Sequence, residues 1–195
     1  MNNIFVVSGP SGSGKSTLIK MLRNEFECTS FSVSYTTRKM REGEIDKRDY
    51  YFISKEKFFK MIKKELFAEW AKVHNEFYGT SIYEIDRKSK GDKILILDID
   101  VQGGKIIKNK FPSSCLVFIK PPSIDELKKR LLKREKVLSL DYKQRIVIAE
   151  EEMKKSSFYD KVIINDDLTD SFNELKDVFQ DYKSRFVLAE GEKIN

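Results

Sequence analysis

Residues Gly9-Pro10-Ser11-Gly12-Ser13-Gly14-Lys15-Ser16 satisfy the spacing GxxxxGK[ST], which restricts what this chain can fold into more than any other stretch does. Ahead of the motif, Ile4 to Val7 is a β-branched and aromatic run. Behind it, Thr17 to Phe26 places apolar residues at helical spacing. Strand, loop and helix in that order make a phosphate cradle: the glycines let the backbone curl so that successive N–H groups point inward. The helix N-terminus adds positive potential. Lys15 is expected to reach the β and γ phosphates of a nucleoside triphosphate, and the Ser16 hydroxyl to ligate Mg²⁺. A chance glycine-rich turn would lack these flanks.

Short apolar runs at Phe31 to Val33, Ile94 to Leu97, Leu116 to Ile119 and Val162 to Ile164 read as buried strands. Near-continuous apolar strands separated by helical stretches predict an α/β fold with a parallel sheet covered on both faces. Residues 34–82 interrupt the alternation. They are rich in aromatics, with strand signals at Tyr50 to Ile53 and a helix-like stretch, Ser54 to Leu66, whose Phe58, Phe59 and Ile62 form an apolar face. This segment reads as an inserted lobe. Residues 123–157 predict two charged helices resembling a lid, the first capped by Ser123 with Asp125 and Glu126 in its first turn, the second starting at Asp141. At the end, Ser171 and Glu174 form a capping-box pattern for a helix over Thr169 to Phe186.

With 195 residues and 40% hydrophobic side chains, one folding unit with a sizeable core is expected. The excess of 37 Lys plus Arg over 31 Asp plus Glu, a formal charge of +6, suits acidic partners. The charge does not choose between anionic nucleotides and nucleic acid, but the lysines are scattered through amphipathic helices without a recognition motif, which makes nucleic-acid binding the weak reading. Two cysteines, Cys28 and Cys115, lack CxxC spacing, so neither a disulfide framework nor a zinc site is indicated and a reducing cytoplasm is expected. The first residues carry no basic flank, and the apolar run is too short for a signal peptide or membrane span.

Two further groups bear on chemistry. Asp98 ends the apolar run Ile94 to Leu97 and is followed by Asp100; a strand-end carboxylate in a P-loop protein can hold Mg²⁺ directly or through water. In the inserted lobe, Ser34, Arg38, Arg41 and Tyr50 supply the hydroxyls and guanidinium forks that bind a phosphate dianion, although each alone also reads as a solvated surface residue. Glu69, in FAEWAKVHNEFYGTS with Tyr78 and Thr80, is either a carboxylate facing a base edge or a salt-bridged surface residue.

Taken together, GPSGSGKST from Gly9, SVSYTTRKMREGE from Ser32, YYF from Tyr50, GTS from Gly79, LDIDVQG from Leu97 and YDKVIINDDL from Tyr159 resemble the guanylate kinase family nearly end to end. The resemblance implies a P-loop kinase fold with a five-stranded parallel core (1–33, 83–122 and 158–195), a GMP-binding lobe (34–82) and a helical lid (123–157). It implies ATP and GMP as substrates, with Mg²⁺. Ser34, Glu69 and Thr80 would face guanine. Arg38, Arg41, Tyr50 and Tyr78 would hold the GMP phosphate, with Asp98 and Asp100 serving the Mg²⁺ and acceptor side. Gly9 to Thr17 would bind ATP, and Arg130 with Asn165 would border its adenine. Lys15, Arg38, Arg134 and Arg145 would be catalytic. In the lid the sequence departs from the family, which continues its first arginine as Arg-Gly-Thr where Arg134 is followed here by Glu135 and Lys136. The lone histidine, His74, matches no family catalytic position. Three rivals stand beside this reading. Another P-loop monophosphate kinase is disfavoured by the surroundings of Glu69, and a GTPase by the lack of an Asn-Lys-Xaa-Asp motif. A non-catalytic guanylate-kinase-like module is disfavoured by the retained Lys15 and lid arginines.

Overall fold

A computed structural model of the chain describes residues 3–73, 75–89, 91, 93–135 and 140–191; the side chains of Arg134, Glu135, Leu140, Asp141 and residues 186–191 lie outside the description, as do His74 and Lys136. The run Ile4–Ser8 forms β1, every residue of which is buried, as a central parallel strand requires. The P-loop leads to α1 (Lys15–Glu25), then β2 (Thr29–Phe31), β3 (Tyr35–Thr36), β4 (Tyr51–Phe52), α2 (Lys55–Lys63), β5 (Phe67–Val73), β6 (Glu76–Ser81) and α3 (Ile82–Lys88). Beyond these come β7 (Ile94–Asp98), α4 (Val101–Lys110), β8 (Cys115–Lys120), α5 (Ile124–Glu135), α6 (Leu140–Lys154), β9 (Lys161–Ile164) and α7 (Leu168–Gly191).

Five strands form a sheet in the order β2-β7-β1-β8-β9, with β2–β7, β1–β8 and β8–β9 running parallel, so the expected parallel α/β core is present. A second sheet, β4-β3-β6-β5, is mixed; of its strands only β4 had a signal in the sequence, at Tyr50 to Ile53. By internal contacts the chain groups into two compact units. The first comprises Met1–Ile4, Cys28–Leu97 and Gln102–Ser114, the second Phe5–Glu27, Asp98–Val101 and Cys115–Asn195.

In the first unit, Ile94 to Leu97, Phe58, Phe67 and Ile85 are buried, and the Phe58 ring stacks on Phe67 at 4.5 Å. Ser54 caps α2 by accepting the Lys57 N–H at 3.2 Å; the helix stops before the expected Leu66 because Glu65 adopts a φ of +53°. In the second unit, Phe5 meets Phe179 edge-on at 5.2 Å among buried Leu18, Leu22, Phe118 and Leu175. Leu127, Leu131, Tyr142, Ile146 and Ala149 form a smaller cluster between α5 and α6.

Ser123 does cap α5, accepting from Glu126 N–H at 3.1 Å, and the described part of α6 runs from Leu140, the residues ahead of it lying outside the description. The capping box at Ser171 is not used: Asp167 Oδ1 accepts the Thr169 and Asp170 N–H groups at 2.8 and 3.0 Å, while Ser171 lies inside α7 and donates to Ile164 O at 3.2 Å. Asp167 wins because a carboxylate caps as well as a hydroxyl and also complements the helix dipole. No helix among the described residues is long and apolar enough to cross a membrane.

Candidate active site

The P-loop belongs to the second unit, and its glycines are required by geometry. Gly9 has φ +145°, and a Cβ there would lie 2.1 Å from Ile119 O; Gly14 has φ +94°, and its Cβ would lie 2.1 Å from Asn165 Nδ2. Gly14 is the N-cap of α1 and offers no side-chain cap, nor does the first turn hold an acid, which leaves the first N–H groups to an anion. Asn165 Nδ2 donates to Ser13 O at 2.7 Å, and Arg130 Nη1 donates to Asn165 O at 3.0 Å, so this pair braces the loop from behind.

Lys15 Nζ stands 3.9 Å from Asp98 Oδ1, and Ser16 Oγ donates to Asp98 Oδ2 at 3.4 Å. One hydroxyl and one carboxylate suit Mg²⁺, which keeps several waters and completes its shell with substrate phosphates. Among the described residues no group of three His, Cys, Asp or Glu is placed to hold a metal. Glu152 on α6 faces the same charges. Burial, with help from Asp100, pushes its carboxyl up to about 7 against the opposing pull of Lys15 and Lys155. Tyr159, packed on Phe118 at 5.1 Å, is raised chiefly by burial. Arg145 is partly buried on α6; Arg134 lies on α5, its side chain outside the description.

In the first unit, the mixed sheet collects the residues expected at the base. Glu69 is 4% exposed, Ser34 9% and Thr80 0%, which overturns the surface reading for Glu69 and Ser34. A bulge between Phe67 and Glu69 shifts the β5–β6 register so that Glu69 stands opposite Thr80, with Phe67, Ala68 and Glu69 buried in succession. The Thr80 N–H donates to Glu69 Oε1 at 2.8 Å, and the Ser34 and Thr80 hydroxyls are 3.4 Å apart. The chain's single tryptophan, Trp70, follows directly and is 40% exposed, with Phe77 at 6.3 Å.

The same unit holds the expected phosphate residues. Arg38 lies over the rings of Tyr50 and Phe52 at 5.3 and 5.5 Å, and Tyr50 meets Tyr78 at 5.9 Å. Its fork is engaged by a residue that sequence reasoning missed: Nη1 and Nη2 donate to the Glu44 carboxylate at 2.9 and 2.8 Å, and the Arg41 N–H adds a third bond at 2.7 Å. The Arg38 hydrogen bond holds the Glu44 carboxyl below its ordinary range in spite of burial. Arg41 itself is exposed. Glu44 could have been found as the acid three residues after Arg41 in a basic run. Glu84, also missed, is flagged by Arg87 and Lys88 one helical turn on. Glu152 carried no signal, because nothing local links it to Lys15.

The guanylate kinase family model matches residues 1–182. The chain belongs to the guanylate kinase family. Guanylate kinases from Campylobacter jejuni are 46% identical over 184 residues, covering 93% of this chain and 90% of the relative. One from Helicobacter pylori is 43% identical over 192 residues, covering 98% and 93%. The crystal structure of guanylate kinase from Anaplasma phagocytophilum superposes with a TM-score of 0.76 at 28% identity, covering 92% of this chain and 85% of that one. Guanylate kinases are nucleoside monophosphate kinases, so this chain is a phosphotransferase, and the family resemblance drawn from its motifs holds.

Proposed function

We propose that this guanylate kinase family member transfers the γ-phosphoryl group of ATP to GMP, and to dGMP, releasing ADP and the corresponding diphosphate. Glu69 carries this reading, as a buried carboxylate in a lobe that also presents the Ser34 and Thr80 hydroxyls. Guanine offers adjacent donors, N1–H and N2–H₂, which one ionised carboxylate accepts together, and O6 as an acceptor for a hydroxyl. Adenine sets a lone pair at N1 against that carboxylate, a penalty of about 2–5 kcal/mol.

In this reading residues 34–82 are the acceptor lobe, 123–157 the lid and the remainder the core. Arg38, Arg41, Tyr50 and Tyr78 hold the acceptor phosphate, and Arg130 and Asn165 border the adenine of ATP. The acceptor is already a dianion, so no general base is needed and catalysis consists of positioning and charge compensation. Lys15, Arg134 and Arg145 offset the charge spread over the transferring group, while Asp98 and Asp100 orient the acceptor side. Ser16, with Asp98 through water, would hold Mg²⁺, which when bound neutralises phosphate charge. The cysteine usage, two residues without CxxC spacing, fits a reducing cytoplasm, with the enzyme acting as a monomer or homo-oligomer.

Acceptor kinetics with ATP and a panel of monophosphates test the proposal. GMP should be preferred over AMP by up to about 10⁴-fold. Glu69→Gln should depress GMP efficiency sharply with little change in the KM for ATP. Equal use of AMP and GMP by the unaltered protein would refute the guanine reading.

A further inference from the structure

Among the described residues two carboxylates are buried, Glu69 and Glu84, and only the first is accounted for by the acceptor. Glu84 is 1% exposed on α3, with Arg87 Nη2 at 2.9 Å and Lys88 Nζ at 2.9 Å. Its other contacts reach out of the helix. Oε2 accepts the Val33 N–H at 3.3 Å and Oε1 accepts the Tyr51 hydroxyl at 3.4 Å, while the backbone N–H of Glu84, independently of the carboxylate, donates to the α3 cap Ser81 Oγ at 3.2 Å. Lys88 extends the network by donating to Phe31 O at 2.8 Å.

Both carboxylate contacts end beside a residue of the base site, as does the cap. Val33 precedes Ser34, Ser81 follows Thr80, and Tyr51 N–H donates to Ser34 O at 2.9 Å. β3 and β4 are two-residue strands, too short to fix Ser34 through ladder bonds alone. Stability does not explain the charge, because a buried ion pair replaced by apolar packing is often neutral or stabilising. Burial pushes the Glu84 carboxyl up, but Lys88, the Val33 N–H and Arg87 bring it below the ordinary range, so it stays ionised and holds all its donors together.

We infer that Glu84 is a positioning residue for acceptor selection: clamped by Arg87 and Lys88, its carboxylate draws Val33 and Tyr51 together and so sets the place of the Ser34 hydroxyl against that of Thr80. This inference rests on the guanine reading of that pocket. Breaking a buried, charge-assisted contact to Val33 should show as about a tenfold weaker acceptor term. Removing binding common to ground and transition states raises KM and leaves kcat.

The experiment compares wild type, Glu84→Gln and Tyr51→Phe in steady-state kinetics with GMP, AMP and ATP, alongside thermal melts. Glu84→Gln should raise the KM for GMP about tenfold and lower the GMP-over-AMP preference, with kcat and the KM for ATP within about twofold. Tyr51→Phe keeps the ring stacked on Tyr35 at 4.6 Å and should give a smaller rise of the same kind. An unchanged KM for GMP in a folded Glu84→Gln protein would overturn the inference, as would parallel losses for both nucleotides that track a fall in Tm. Should Glu84→Gln not fold, Tyr51→Phe decides alone, an unchanged KM counting against. A wild type that uses AMP as readily as GMP defeats the guanine reading instead, and the two failures are thereby told apart.

Discussion

Lys15 has Asp98 at 3.9 Å and acts on the carboxyl of Glu152. Lys15 opens α1 and its side chain is not among the buried residues of that helix. Lys15→Ala should therefore lower kcat by about a hundredfold or more while circular dichroism and Tm stay close to wild type. Near-normal turnover would remove the P-loop from the catalytic account. Glu152 gives a test on stability. Its carboxyl is raised from 4.5 to about 7, so between those values the native state binds more protons than the unfolded chain, and stability falls as pH rises through that window. Glu152→Gln imitates the protonated form. Its Tm should exceed that of wild type at pH above about 7, and its decline across the window should be shallower; matching slopes in the two proteins would assign the effect to another group.

Helix ends show where sequence patterns compete. Asp167 and Ser171 both satisfy a capping signal, and the choice between them depends on where β9 ends, which the helix sequence does not contain. Asp167→Ala should cost about 1 kcal/mol, read as a lower urea midpoint with an unchanged m value. β5 was hidden for a related reason: a bulge buries Phe67, Ala68 and Glu69 consecutively, which erases the alternation by which a half-buried strand is recognised. β1, β7 and β8 were legible because a strand covered on both faces is written as an unbroken apolar run.

Over the whole molecule, what could be read depended on how local the chemistry is. The P-loop is contiguous, so its residues and their role follow from one motif. Glu44 and Glu84 carry a signal in the basic residues close to them along the chain, whereas Glu152 acts on Lys15, which only folding brings near. The lid arginines are a further test at this scale. If they act on the transferring group, Arg145→Ala should lower kcat by a larger factor than it raises the KM for GMP, and Arg134→Ala should do the same unless Glu135 and Lys136 have diverted that arginine. Trp70 has a practical consequence. As the sole tryptophan, half exposed and adjoining Glu69, it makes the protein's long-wavelength emission a local signal. A titration with GMP should change its intensity or colour, so acceptor occupancy can be followed in solution without a label, and a spectrum unaltered at saturating GMP would count against a base seated at Glu69.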